Sequence, residues 1–255
     1  MSMKMHVLSG GWLRMRKGVY LPGAPKEETL DLPVSCFLLR HAQGNVLFDT
    51  GCHPSVLEDA PARWGAMARV MQPIGKPEEN LMYELQALGV QAEDIDVVVC
   101  SHLHSDHCGC NEFFRSATLV CHAAELRNAK AEDAAARGFL AVDWDHGFKT
   151  QCIEREHDLF GDSRITLLPL PGHTEGMVGA LISLERDGDF VLASDAVPLM
   201  RNLDENLIPK NTWDTVRAEA SFEEIRHLAR GGAKVICGHD AEQWQQLRKG
   251  RETYQ

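Results

Sequence analysis

Residues 94–111 read DIDVVVCSHLHSDHCGCN. The run DVVVC (96–100) is short, apolar and β-branched, which predicts a buried strand. Directly after it, His102, His104, Asp106 and His107 fall within six positions. Alternate residues of an extended segment point the same way, so His102 and His104 can reach one ion together. Asp106 and His107 come after the chain has turned and can face a second ion. Imidazole nitrogen and carboxylate oxygen suit Zn²⁺ and similar divalent cations. One histidine is ordinarily a surface or packing residue. Four ligand-type residues this close together point to metal. Cys108 and Cys110 beside them read as small packing residues.

Two ions need more ligands than this loop supplies. Other apolar runs end in metal-competent residues: ITLLPL (165–170) runs into PGHTEG with His173, DFVLAS (189–194) into Asp195, and AKVICG (233–238) into His239. Each is a place where a strand-to-loop transition can aim a side chain into a shared cleft. His6, His41, His53, His122, His146, His157 and His227 lack this setting and read as surface or packing residues.

The remaining strand-like segments are VSCFLLR (34–40), NVLFD (45–49), ATLVC (117–121) and MVGALISL (177–184), with LLRHAQGNVLFD (38–49) forming a hairpin that turns at Gly44. Helical patterns cover 61–71, 80–89, 122–136, 221–232 and 241–250. Ser221 with Glu224 reads as a capping box, and Gly89 and Gly231 as helix stops. The strands come in two blocks with helices interleaved, an α/β layer arrangement of two helix-covered sheets. No repeat or linker divides the chain, so residues 1–255 are expected to form a single domain.

Composition narrows the partners. The 26 basic residues against 37 acidic ones give a formal charge of −11. That disfavours nucleic acid, whose binding rests on clustered Lys and Arg, and favours a small substrate. MSMKMHVLSGGW has no signal-peptide core, and no apolar run is long enough for a membrane span. A cytoplasmic protein is expected, with its eight cysteines as thiols.

The motif H-x-H-x-D-H (102–107), followed in order by His173, Asp195 and His239, resembles the metallo-β-lactamase superfamily. FDTG (48–51) is similar to the family's early Asp-Thr-Gly turn. The resemblance implies an αββα sandwich of two mixed β-sheets flanked by helices, with two divalent metal ions, zinc by expectation, at one edge. It implies His102, His104 and His173 on the first ion, Asp106, His107 and His239 on the second, and Asp195 between them, with Asp49 as outer support. The same resemblance implies hydrolysis, with Asp106 relaying a proton to the leaving group.

Within the superfamily, Glu in place of His104 would mark oxygen-reducing di-iron members, and β-lactamases with a Cys ligand have no Asp where Asp195 stands; the resemblance therefore disfavours both. LPVSCFLLRHAQGNVLFDTG (32–51) and residues 94–111 resemble N-acyl homoserine lactonases. The expected reaction is therefore opening of a small lactone by a metal-bridging hydroxide. The alternative is a broader carboxylester or phosphotriester hydrolase. One departure stands out: such lactonases commonly have Tyr three positions after the bridging Asp, and here that residue is Pro198. The segment 61–74 reads as a core-facing amphipathic helix, with a pocket wall or a homodimer contact as its other readings.

Overall fold

A computed structural model describes residues 2–255. Twelve strands form two sheets. They are β1 (Lys4–Arg16), β2 (Thr29–His41), β3 (Gly44–Phe48), β4 (Gln72–Ile74), β5 (Val97–Val99), β6 (Thr118–His122), β7 (Lys149–Ile153), β8 (His157–Asp158), β9 (Ile165–Pro169), β10 (Val178–Leu184), β11 (Gly188–Ser194) and β12 (Lys234–Cys237). The first sheet runs β4-β1-β2-β3-β5-β6-β7 and the second β12-β11-β10-β9-β8. Both are mixed. β3, β5, β6 and β7 pair in parallel, as do β11 and β12, while the hairpins pair antiparallel. The two blocks of strands seen in the sequence are these two sheets.

The sheets pack face to face because each contributes an apolar inner surface. Phe37, Leu39, Val46, Phe48 and Val99 of the first meet Leu167, Val178, Ala180, Ile182 and Leu192 of the second in one buried cluster. Fully burying such a side chain is worth roughly 1.5–3 kcal/mol. Helices cover the outer faces: Leu81 and Leu85 pack on the first sheet, Phe222 and Ile225 on the second. Strands covered on both faces read as continuous apolar runs, which is why VVV in β5 shows no alternation.

Several local expectations are corrected. The 13-residue strand β1, paired between β4 and β2, is unheralded. Gly10 and Gly11 interrupt its pattern, and its pairing with β2 shifts register between Ser9 and Trp12. The segment 61–71 is not one helix: a helix Val56–Trp64 ends at Gly65, and a 3₁₀ turn Gly65–Arg69 leads into β4. Trp64 and Met71 pack in the core, whereas Val70 is 53% exposed. The helix expected over 122–136 stops at Ala129, because Lys130, Glu132 and Asp133 present nothing to bury and propensity alone does not hold a short helix. Ser221 is not a cap. It lies inside a helix Thr215–Arg230 capped by Asp214, whose side chain accepts from Val216 N and Arg217 N. Ser221 Oγ instead donates to Pro171 O at 2.7 Å, tying that helix to the loop before His173.

Candidate metal centre

Chain geometry brings all seven anticipated residues to one edge of the sandwich. β5 delivers Ser101 and His102, and a short helix Ser105–Cys108 turns Asp106 and His107 back over the strand ends. β9 leads to His173, β11 to Asp195 and β12 to His239. Val178 N donates to Ser101 O at 2.8 Å, which joins the two sheets beneath the site.

Two backbone features make the convergence possible. Asp49 and Ser194 both have positive φ, 59° and 45°, a conformation uncommon for non-glycine residues and concentrated at functional sites. Each turns the chain sharply at a strand end. Gly51 follows with φ 72° and packs so closely on β1 that an added Cβ would lie 2.4 Å from Gly10 Cα. Its carbonyl accepts from Gly109 N at 2.8 Å, which holds the Asp106–His107 turn in place.

Donor atoms gather in three groups: His102, His104 and His173; His102, His107 and Asp195; and Asp106, His107 and His239, with the ligand atoms of each group within 4.8 Å of one another. His104 Nδ1 is 3.0 Å from His173 Nε2, and His107 Nε2 is 3.3 Å from His239 Nε2. Asp195 lies between them, its Oδ1 2.8 Å from His239 Nε2 and 3.3 Å from His107 Nε2, its Oδ2 3.4 Å from His173 Nε2. His102 Nε2 is buried without a hydrogen-bond partner, a costly arrangement in a native interior unless something else occupies that lone pair.

The outer atoms of the rings fix which nitrogen faces inward. His107 Nδ1 donates to Asp49 Oδ2 at 2.9 Å, and His239 Nδ1 donates to Pro33 O at 2.9 Å. Ser101 Oγ donates to Asp49 Oδ2 at 2.7 Å, leaving its lone pairs to accept from His102 Nδ1 at 3.0 Å. Nε2 of all three rings is thereby left as a lone-pair donor toward the centre. Burial, reinforced by the neighbouring imidazoles, pushes His102 well below its ordinary value; His104 and His173 are lowered chiefly by burial. Neutral imidazole is the ligating form. At His107 burial also disfavours the charged form, but Asp106 and Asp195 outweigh it and the ring is pushed up. The site thus carries a surplus of negative charge that a cation would balance. By donor type, number and orientation, the residues fit a pair of divalent ions.

Chain-wide comparison agrees with this geometry. A model of the family described as "Metallo-beta-lactamase superfamily" matches residues 29–239. The chain belongs to the metallo-β-lactamase superfamily. Among its relatives in that superfamily, the N-acyl homoserine lactonase AiiB of Agrobacterium fabrum is 32% identical, covering 100% of this chain and 99% of its own. The N-acyl homoserine lactonase AttM of Azorhizobium caulinodans is 29% identical over 98% of both chains. A solved structure of an N-acyl homoserine lactone hydrolase, with the product N-hexanoyl-L-homoserine bound at its catalytic metal center, superposes with a TM-score of 0.90. It covers 100% of each chain at 23% identity, a likeness of fold.

The centre opens into a cavity of about 430 Å³. His104, Asp106, His173 and Asp195 lie at its base, and Met15, Val19, Met67, Val70 and Met71 form one wall. The segment 61–74 therefore contributes both core and pocket wall. Cys108 and Cys110 are fully buried in the adjoining core and belong to none of the donor groups. Sequence reasoning missed Glu125. It is buried, and its carboxylate accepts from Leu103 N at 3.0 Å, Thr174 Oγ1 at 2.7 Å and Gly176 N at 3.2 Å. It ties the loop of His102 and His104 to that of His173.

Proposed function

We propose that this chain is a dinuclear metal-dependent hydrolase that opens a small lactone, of the N-acyl homoserine type, to the hydroxy acid. The observation that carries the reading is the convergence of His102, His104, Asp106, His107, His173, Asp195 and His239 beneath a largely apolar cavity, in a chain similar along its whole length to named lactonases. His102, His104 and His173 would hold one cation, Asp106, His107 and His239 the other, with Asp195 shared. Zinc is the cation proposed, because the donors are imidazole and carboxylate alone. Bound there, the pair would supply Lewis acidity and a water that ionises near neutral pH.

The chain's own groups do the rest. Water adds to the acyl carbon as the ring C–O bond breaks, and the ring oxygen must gain a proton. Asp106 lines the cavity and is the carboxylate placed to carry that proton from the attacking water to the departing oxygen. The methionine-rich wall gives an acyl chain an adaptable apolar surface. We further propose a cytoplasmic setting, since all eight cysteines are free thiols, and a homodimer, the smallest symmetric assembly. Among the described residues no helix is long and apolar enough to cross a membrane.

The test is a panel of acyl-homoserine, γ-butyro-, δ-valero- and aromatic lactones, with carboxylesters and a phosphotriester alongside, followed by pH-stat. Ring opening of acyl-homoserine lactones that is lost on chelation and regained with added zinc is the expected result. Turnover confined to the phosphotriester, or lactone opening that survives complete chelation, would overturn the reading.

A further inference from the structure

Tyr20 lies at the end of a single helical turn, Lys17–Tyr20, between β1 and β2. It is 2% exposed and lines the cavity beside His104, Asp106, His173 and Asp195. Its ring packs edge-on to His239, with centroids 6.2 Å apart. The backbone around it is fixed. Asn202, fully buried, donates to Tyr20 O at 2.7 Å, and Lys210 N donates to Val19 O at 2.7 Å. Both partners belong to the segment that follows Asp195, so the phenol is held in register with that carboxylate.

The hydroxyl is poorly used by the protein. Its partner is the thioether of Met15, 3.1 Å away, a weak acceptor, whereas a buried tyrosine normally finds a strong one. Other candidates at the cavity base are committed or unsuitable. Asp106 and Asp195 accept and cannot donate as carboxylates. Thr174 Oγ1 already donates to Glu125. Arg137 commits both terminal nitrogens to Asn128 and Asp133, and only its buried Nε lacks a partner. A phenol hydroxyl carries one proton that it can donate.

Resting on the lactonase reading, we propose that the Tyr20 hydroxyl donates a hydrogen bond to the carbonyl oxygen of the lactone ring. As water adds to the acyl carbon, that oxygen gains negative charge, and a preset neutral donor stabilises it more in the transition state than in the ground state. This chain has Pro198 three positions after Asp195. The donor comes instead from the opposite end of the sequence.

The experiment is Tyr20→Phe in the metal-loaded protein, with metal content, melting temperature, kcat and KM measured on every lactone the wild type opens. The expected result is a 10- to 100-fold fall in kcat/KM, carried mainly by kcat, with metal content and melting temperature unchanged. Tyr20→Met, which fills the space without a hydroxyl, should show the same loss and stands in if the Phe variant fails to fold. Either folded variant turning over at the wild-type rate overturns the assignment while leaving the lactonase reading intact. A wild-type protein that opens no lactone removes both.

Discussion

Asp49 Oδ2 accepts a 2.9 Å hydrogen bond from His107 Nδ1, and both side chains are 1% exposed. The same carboxylate accepts from Ser101 N at 2.7 Å, Ser101 Oγ at 2.7 Å and Ser194 Oγ at 3.2 Å. One anion therefore orients His107 directly and His102 through Ser101, and it touches the residue that delivers Asp195. Partners of this kind set ring orientation and ligand basicity, and losing one typically costs 10–100-fold in metal affinity. Asp49→Ala is expected to lower cation retention by about that factor while leaving the far-UV circular dichroism unchanged. Metal content after dialysis against a graded chelator checks it. Wild-type retention would contradict the role given to Asp49.

Metal removal should also destabilise the fold. Asp106, Asp195 and Asp49 all lie within the buried centre, and once cations leave, only protonation of His107 and His239, both pushed up by these carboxylates, can offset their charge. A ligand present at about 1,000 times its Kd stabilises the native state by roughly 4 kcal/mol. For a chain of this size that corresponds to a melting shift of roughly 10 °C. Stripping the protein with chelator should lower the melting temperature by about this amount, and adding back zinc should restore it. An unchanged melting curve would argue that no cation is held.

Glu125 gives a pH dependence of stability. Burial, only partly offset by its three hydrogen bonds, raises its pKa from 4.5 to about 7. Between those values the unfolded chain has released the proton and the folded chain still holds it. Stability from this group is thus fully present below pH 4.5 and is lost as pH rises through 7. The total is on the order of 3 kcal/mol. Melting curves from pH 4.5 to 8 should show this decline. Glu125→Gln should flatten it, at the cost of facing one amide donor toward another. Parallel slopes in the two proteins would assign the pH dependence elsewhere.

Much of this was legible because local signals and tertiary placement coincide. His173, Asp195 and His239 each follow an apolar run that becomes a strand, and the strand ends share one edge. The two sheets could be read from β-branched runs for the same reason. β1 was hidden: charged residues at its ends and Gly10-Gly11 in its middle break the alternation, and Gly10 is there because Gly51 and Cys36 pack closely against it. The supporting polar residues were equally silent. Glu125 acts on Leu103 and Thr174, and Tyr20 faces Asp195, across separations that no local pattern encodes. Ser221 showed the reverse error, a capping pattern inside a longer helix whose true cap, Asp214, has no acidic residue in its first turn.

Gly238 gives the sharpest packing test of the centre. It joins β12 to His239 and passes so near the β11 turn that an added Cβ would lie 2.8 Å from Asp195 Oδ1 and 2.9 Å from the Ser194 carbonyl carbon and oxygen. The carboxylate could swing aside, but the Ser194 backbone cannot, because its positive φ is part of the turn that aims Asp195. Gly238→Ala must therefore push the two strand ends apart and move Asp195 away from His239. Misplacement on the scale of 1 Å costs about 100-fold in rate. The variant is expected to lose activity to roughly that extent and to retain fewer cations per chain, while β11 and β12, paired along Phe190–Ser194, stay folded. Lactone turnover and metal stoichiometry near wild type in Gly238→Ala would mean that Asp195 is not held against the end of β12 in the way described.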